Sequence, residues 1–204
     1  MLFTRSREDF ATRLKVNQLK IDQIPVSRIL GVWISEDLSW DRNTKEICRK
    51  AFSRMSMLTK PRYVGVNTED LIDIYILFIR SITEYCSVAF HSSLTVAQVT
   101  DIERIQKTSL KVILGDSYVD YPAALEMTRL QTLYDRREKR CLDLALKAIK
   151  HPINHKMFPL NKNLDNELEV RNRETFQVNF ARTVQYKKSA IPPCQRILND
   201  HFRT

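Results

Sequence analysis

The chain has 204 residues, enough for one domain with an extension or for two small units. Apolar residues make up 43 % and charged residues 28 %, which supports a packed core and excludes wholesale disorder; only 3 glycines exclude a glycine-rich β architecture and favour long helices. The formal net charge of +9 points to an anionic partner, against the plainer reading of a basic but ordinary surface. The excess is uneven. Residues 1–66 carry 13 basic against 7 acidic side chains, 67–114 carry 4 against 6, 115–150 carry 7 against 6, and 151–204 carry 9 against 5. The first third is therefore the electrostatic candidate and the middle the candidate core.

Residues 1–38 read as short strands. Met1-Leu2-Phe3 is an apolar opening. Leu14 and Val16, then Leu19 and Ile21, alternate with polar neighbours on either side of Asn17-Gln18, which predicts two half-buried strands joined by a turn. Pro25 bars a central strand position. Ile29 to Ile34 reads as a third, more buried strand, whose Gly31 implies a bulge or a close approach of backbone.

Ser39 is a candidate cap for a helix over 40–60. Ile47, Ala51, Met55 and Leu58 form its apolar stripe; Arg42, Lys45 and Arg49 form a second stripe, Lys50 and Arg54 a third; Pro61 and Gly65 end it. Asn67 caps the next helix, with Glu69 and Asp70 in the first turn. Its main face is Leu71, Ile74, Tyr75, Phe78, Ile82 and Tyr85. Ile72, Leu77, Ile79 and Val88 spread apolar character almost all round, which predicts burial. Thr95 to Gln98 is a capping box for a helix over 95–114, closed by Gly115. Val99, Ile102, Leu110 and Ile113 are its inward positions. Tyr121-Pro122 starts a short helix, and Leu130 to Lys150 is a long one ended by Pro152. From 151 onward the chain is polar and Asn-rich; one more helix fits within Arg173–Lys188, and Ile197-Leu198 is an apolar anchor.

The residues offer no catalytic centre. No C-x-x-C pair exists among Cys48, Cys86, Cys141 and Cys194; the first three lie in helical apolar patterns and read as buried thiols, which suits a reducing compartment. Pro152 keeps His151 and His155 off a shared helical face, and no Ser-His-Asp or Cys-His arrangement follows from the spacings. The pairs Glu8-Asp9, Glu36-Asp37 and Glu69-Asp70 read as turn and helix-start residues rather than a two-metal site. Glycines at 31, 65 and 115 cannot form a phosphate cradle. The longest apolar run, Ile74 to Ile79, is far too short to span a bilayer, and the start lacks a signal-peptide core. The basic helix remains: cations along one rigid element can reach a phosphate backbone, where the plainer alternative is a solvated face.

The order of several segments resembles one family. Met1 to Arg5, Leu14-Lys15-Val16, Ile29-Leu30-Gly31-Val32 and Leu38-Ser39-Trp40 look like the strands that follow the catalytic box in reverse transcriptases of non-LTR, LINE-type (jockey-like) retrotransposons. Ile74-Tyr75 through Glu84-Tyr85-Cys86 to Phe90 resembles a helix of that family. Ile102 to Lys107 resembles its "IQ" segment. Arg136-Arg137-Glu138-Lys139-Arg140-Cys141, Ser189 to Pro192 and Ile197-Leu198-Asn199 resemble its C-terminal part. The resemblance covers nearly the whole chain.

What the resemblance implies is a piece of a right-hand RNA-directed DNA polymerase. Residues 1–38 would be the end of the palm with the primer grip, 39–115 a helical thumb, and 116–204 a helical connector with a polar tail. The expected fold is mainly α, with short N-terminal strands, a thumb-like bundle and a loosely packed C-terminal extension. Arg28, Leu30, Gly31, Arg42, Lys45, Arg49, Lys50 and Arg54 would contact a template–primer duplex of RNA and DNA. The further partner would be the missing fingers and palm, without a membrane, at an intracellular location, cytoplasmic or nuclear. The family's Y-A-D-D box has no counterpart, since the sequence contains no Asp-Asp pair; the chain is expected to hold duplex without catalysis or cofactor of its own, Mg2+ belonging to the parent enzyme. Pro61 also departs from the family, which has an apolar residue there. The rival expectation is a helical protein–protein interaction module with no nucleic-acid role.

Overall fold

The structure, a computed structural model, describes residues 15–16, 19–20, 24–161 and 175–203. The expected apolar opening at Met1-Leu2-Phe3 and the pair Glu8-Asp9 lie outside the described residues. Among the described residues the chain is mainly helical, with its strands near the start, as the sequence predicts. Strands β1 (Lys15–Val16) and β2 (Leu19–Lys20) pair antiparallel, Val16 opposite Leu19. Strands β3 (Val26–Ile29) and β4 (Val32–Ser35) form a second antiparallel hairpin, with Arg28 opposite Trp33.

The single strand expected over Ile29–Ile34 is instead this hairpin's turn and second arm. Leu30 and Gly31 both have positive φ, 47° and 85°. Two left-handed residues are what a two-residue type I′ turn requires, because its twist matches that of the flanking strands. Gly adopts that conformation freely; for Leu30 it costs roughly 1–2 kcal/mol. Gly31 is thus the hinge of a turn.

Helix α1 (Asp41–Ser53) begins at Trp40, not under the expected Ser39 cap. The Ser39 N–H donates to Asp37 Oδ1 at 2.9 Å, so Ser39 belongs to an Asp-centred turn before the helix. The expected helix over 40–60 breaks at Arg54–Met55, where both N–H groups bond three residues back. A new helix, α2 (Ser56–Tyr63), then runs through Pro61. Pro61 does not end the helix: it removes one bond, and its own carbonyl still accepts the Val66 N–H at 3.1 Å.

Asn67 caps α3 (Thr68–Ile74) as predicted, accepting the Asp70 N–H at 2.8 Å. The helix then widens into a π-helical stretch, Tyr75–Arg80, before α4 (Ser81–Glu84). Leu71, Tyr75, Ile79 and Thr83 are all fully buried. Four-residue steps drift by about 40° per step around an α-helix, and the wider π turn offsets that drift, keeping the four on one side. The face expected from an α period therefore changes. Leu77 is 64 % exposed, and Phe78 and Tyr85 are also exposed, so the element is buried on one side only.

Cys86, left-handed at φ 51°, separates α4 from α5 (Ser87–Phe90); it is exposed, not the buried thiol expected. Helix α6 (Val96–Leu114) carries the predicted capping box between Thr95 and Gln98. It is the bundle's axis, packing α1, α2, α3, α7 (Tyr121–Thr128) and α8 (Leu133–Lys150) around it. Ile47, Ala51, Leu58, Leu71, Tyr75, Ile102, Leu110 and Leu133 meet in this first core; each large side chain so buried contributes roughly 1.5–3 kcal/mol. Gln106, fully buried, accepts the Tyr75 hydroxyl at 2.6 Å and donates to Tyr121 Oη and the Gln131 carbonyl, both at 2.9 Å.

The helix expected within Arg173–Lys188 is confined to α9 (Val184–Lys188). A longer one follows, α10 (Ile191–Arg203), which the sequence pattern does not announce. Pro192 and Pro193 fall in its first turn, where a missing N–H costs nothing. Leu198, the expected anchor, is fully buried with Cys141, Ala145, Phe158 and Cys194 in a second core between α8 and α10.

Candidate nucleic-acid interface

The β3–β4 hairpin leans on the bundle through its backbone and its turn. The Trp33 N–H donates to Asn43 Oδ1 at 3.2 Å, and Asn43, on α1, is buried. The Tyr85 hydroxyl donates to the Leu30 carbonyl at 2.8 Å. Its ring stands under the turn: a Cβ on Gly31 would meet Tyr85 Cε1 at 3.4 Å. Asp41, at the same N-terminal end of α1, accepts from Gln98 Nε2 at 2.6 Å and ties α1 to α6.

Between the hairpin, α1 and α4 lies a cleft of about 680 Å³. Gly31 and Trp33 line it on one side, Ser81 and Tyr85 on another, and Arg49, Lys50 and Arg54 along α1. Of the residues expected to bind, the structure thus gathers Gly31, Arg49, Lys50 and Arg54 around one opening. Arg42 stands at its edge, its guanidinium 5.0 Å from the Trp33 ring centre, with Arg28 at 5.9 Å from the same ring. Leu30 sits at the hairpin tip, 85 % exposed, and offers the cleft only its carbonyl's link to Tyr85. Lys45 is exposed on α1 but does not line the cleft.

The cations differ in freedom. Glu46 accepts from Arg49 at 3.0 Å and stands 3.5 Å from Arg42, both arginines being well exposed. The Arg49 hydrogen bond, aided by the charges of Arg49, Arg42 and Lys50, holds the Glu46 carboxyl below the usual range against the effect of desolvation. Arg54 Nη1 donates to the Phe78 carbonyl at 3.3 Å, at the π-helical stretch, and its guanidinium has no other partner among the described residues. Lys50 has no partner among the described residues. In the lining itself three cations, Arg49, Lys50 and Arg54, thus face one carboxylate, Glu46. The hydroxyls of Ser53 and Ser81 are engaged by the carbonyls of Lys50 and Leu77, at 2.8 and 2.7 Å. The lining offers charge and hydrogen-bond donors rather than a nucleophile with its base, an equipment for holding an anion. Among the described residues no three His, Cys, Asp or Glu side chains stand together to hold a metal ion.

A second polar centre escaped sequence reasoning. Glu84, 4 % exposed, accepts from Arg136 through both oxygens and from Arg140 Nη2 at 2.6 Å, and stands 3.6 Å from Arg80 Nε. Burial pushes its carboxyl up, and the Arg136 hydrogen bond with the charges of Arg136, Arg140 and Arg80 outweighs that, leaving it below the usual range. Beside it Arg137 is fully buried, its Nε 3.4 Å from His91 Nδ1. The signal was present as an acid in an apolar helix and a cluster of arginines that begins 52 residues on, but a sequence does not say that they meet. No helix among the described residues is long and apolar enough to cross a membrane. Compared with protein-family models, with curated proteins and with solved structures, the chain matches none.

Proposed function

We propose that this chain carries the primer grip and thumb of a non-LTR retrotransposon reverse transcriptase and holds its RNA/DNA template–primer duplex, without supplying the catalytic carboxylates. One observation carries the reading. The segments on which the resemblance rests are joined in space by their polar side chains: Tyr75 to Gln106, Glu84 to Arg136 and Arg140, and Tyr85 to the Leu30-Gly31 turn. The last of these sets the turn beside Arg49, Lys50 and Arg54. A duplex backbone would lie along α1 with the turn at its edge. The remaining fingers and palm would meet the apolar hairpin tip, where Ile29 and Leu30 are exposed. The compartment would be intracellular, cytoplasmic or nuclear.

The test is binding of an RNA–DNA heteroduplex by fluorescence anisotropy across a salt series. Lys50→Glu with Arg54→Glu should weaken binding and flatten the salt slope by about 0.9 for each phosphate no longer neutralised. Lys45→Glu, off the cleft, should do less. Unchanged affinity and slope in the double variant would end the assignment and leave the protein-interaction reading.

A further inference from the structure

A second cleft, of about 520 Å³, lies between α8 and the junction of α4 with α5; Cys86 lines it, next in sequence to Tyr85 of the first. Arg136, Lys139, Arg140 and Lys147 line it from one face of α8, as their offsets of 3, 4 and 11 from Arg136 require. Against these four cations stand two carboxylates, Glu84 and Asp143. Glu84 is already engaged by three arginines. Lys139, Lys147 and Asp143 have no partner among the described residues, although Asp143 is four residues from each lysine. Two positive charges are therefore in excess.

An independent observation points to an occupant. Ser87 also lines this cleft, is 1 % exposed, and its hydroxyl has no hydrogen-bond partner among the described residues. A sealed donor without an acceptor is unfavourable, and buried hydroxyls in folded proteins are nearly always satisfied. A ligand here should accept a hydrogen bond from a hydroxyl, take forked donation from arginine and neutralise two charges. A carboxylate meets the first two demands but carries one charge. A phosphate meets all three, with several acceptor oxygens in tetrahedral array.

We propose that this cleft is a phosphate-binding site, in which Arg140, Lys139 and Lys147 supply charge and the Ser87 hydroxyl donates from the side of α5. The site does not rest on the duplex reading. One phosphomonoester or free phosphate supplies the two charges, and so do two consecutive phosphodiesters of a nucleic-acid strand.

The full chain is titrated with inorganic phosphate, followed by 31P line broadening and thermal shift, and separately with the heteroduplex. Lys139→Gln with Lys147→Gln removes two exposed, unpartnered side chains and should leave the fold intact by circular dichroism. It should lose about tenfold in affinity or more, and so should Ser87→Ala, on the scale of hydrogen bonds to charged groups. A loss seen for the heteroduplex assigns the cleft to a nucleic-acid backbone; a loss confined to inorganic phosphate assigns it to a free phosphate. Both support the site. Affinities of the double variant and of Ser87→Ala within twofold of the parent chain for both probes overturn it. The duplex assignment is judged on Lys50 and Arg54 instead, so the two ideas fail separately.

Discussion

The two clefts use the same parts at different depths. In each, one glutamate sits beneath several arginines: Glu46 with Arg42 and Arg49, and Glu84 with Arg80, Arg136 and Arg140. The side chain of Glu46 is 17 % exposed and its arginines are 53 % and 67 % exposed, whereas Glu84 is 4 % exposed and Arg80 12 %. Depth decides what each cluster does. An exposed ion pair contributes about 0–1 kcal/mol, so its cations stay available to an incoming anion. A buried carboxylate that loses its role leaves cations without a countercharge in a low dielectric, and the fold suffers.

The largest test of that contrast is Glu84→Gln. It should destabilise the chain by about 3–4 kcal/mol, the lower part of the range for breaking a buried pair, because Arg136 and Arg140 are partly solvated. The measurement is urea unfolding followed by circular dichroism. A change below about 1 kcal/mol would erase the distinction between the clefts.

Next in size is a pH effect from the buried side of the same region. His91 lies 6 % exposed, its ring edge-on to Tyr134 and beside Arg137. Burial, with the Arg137 charge, lowers its pKa to about 4. The unfolded chain takes up a proton near pH 6.5 that the folded chain refuses until about pH 4. The unfolded state thus binds more protons in that window, and stability falls as pH drops from about 6.5 to 4, by up to about 3 kcal/mol. Below that window the loss should level off. Unfolding free energies at several pH values in His91→Gln should show a flatter slope there; an equal slope in both chains would place the proton elsewhere.

Which of these features the sequence announces follows from the physics of each. Asn67 and Thr95 are legible because a cap is a local bond within three residues. The stripe Ile47, Ala51, Leu58 is legible because α1 and α2 continue nearly one helical phase. Leu71-Tyr75-Ile79 is half legible: the α period picks the first two and then chooses Phe78, since nothing local signals a π turn. The Leu30-Gly31 turn reads as strand because Leu is an unusual residue at φ 47°. Helix α10 is hidden by two prolines, which stop a helix in its middle and start one in its first turn. The basic stripe of α1 names the right residues for the cleft, Arg49, Lys50 and Arg54, yet cannot separate them from Lys45, because which flank faces a groove is set by the hairpin packed 10 or more residues away. Glu84 with Arg136 and Arg140, 52 and 56 residues distant, is beyond local reasoning altogether.

The hairpin offers a smaller, stabilising test. Leu30 is 85 % exposed and left-handed, so its side chain loses little on removal while its backbone is strained. Leu30→Asn places Asn-Gly in a type I′ turn and should raise stability by about 1 kcal/mol. Thermal unfolding reads it. If stability falls instead, Leu30 has packing that its exposure conceals. The carbonyl that accepts from Tyr85 is untouched, so the cleft keeps its geometry and heteroduplex affinity should hold, unless the apolar tip itself takes part in binding.

The smallest effect on folding is the sharpest for function. Glu46→Gln removes the one carboxylate that lines the α1 cleft and releases Arg42 and Arg49, whose pairs with it are solvated. Stability should change by less than about 1 kcal/mol, in contrast to Glu84→Gln. If the cleft holds a polyanion, affinity for the heteroduplex should rise by about threefold at low salt, the scale of one removed like charge in a solvated site, and the gain should shrink as salt shortens the Debye length. A protein-interaction module predicts no gain and no salt dependence. Two chemically identical substitutions, at two glutamates far apart in sequence, would then report separately on the two depths: one on whether the bundle stays together, the other on what its outer groove is charged to meet.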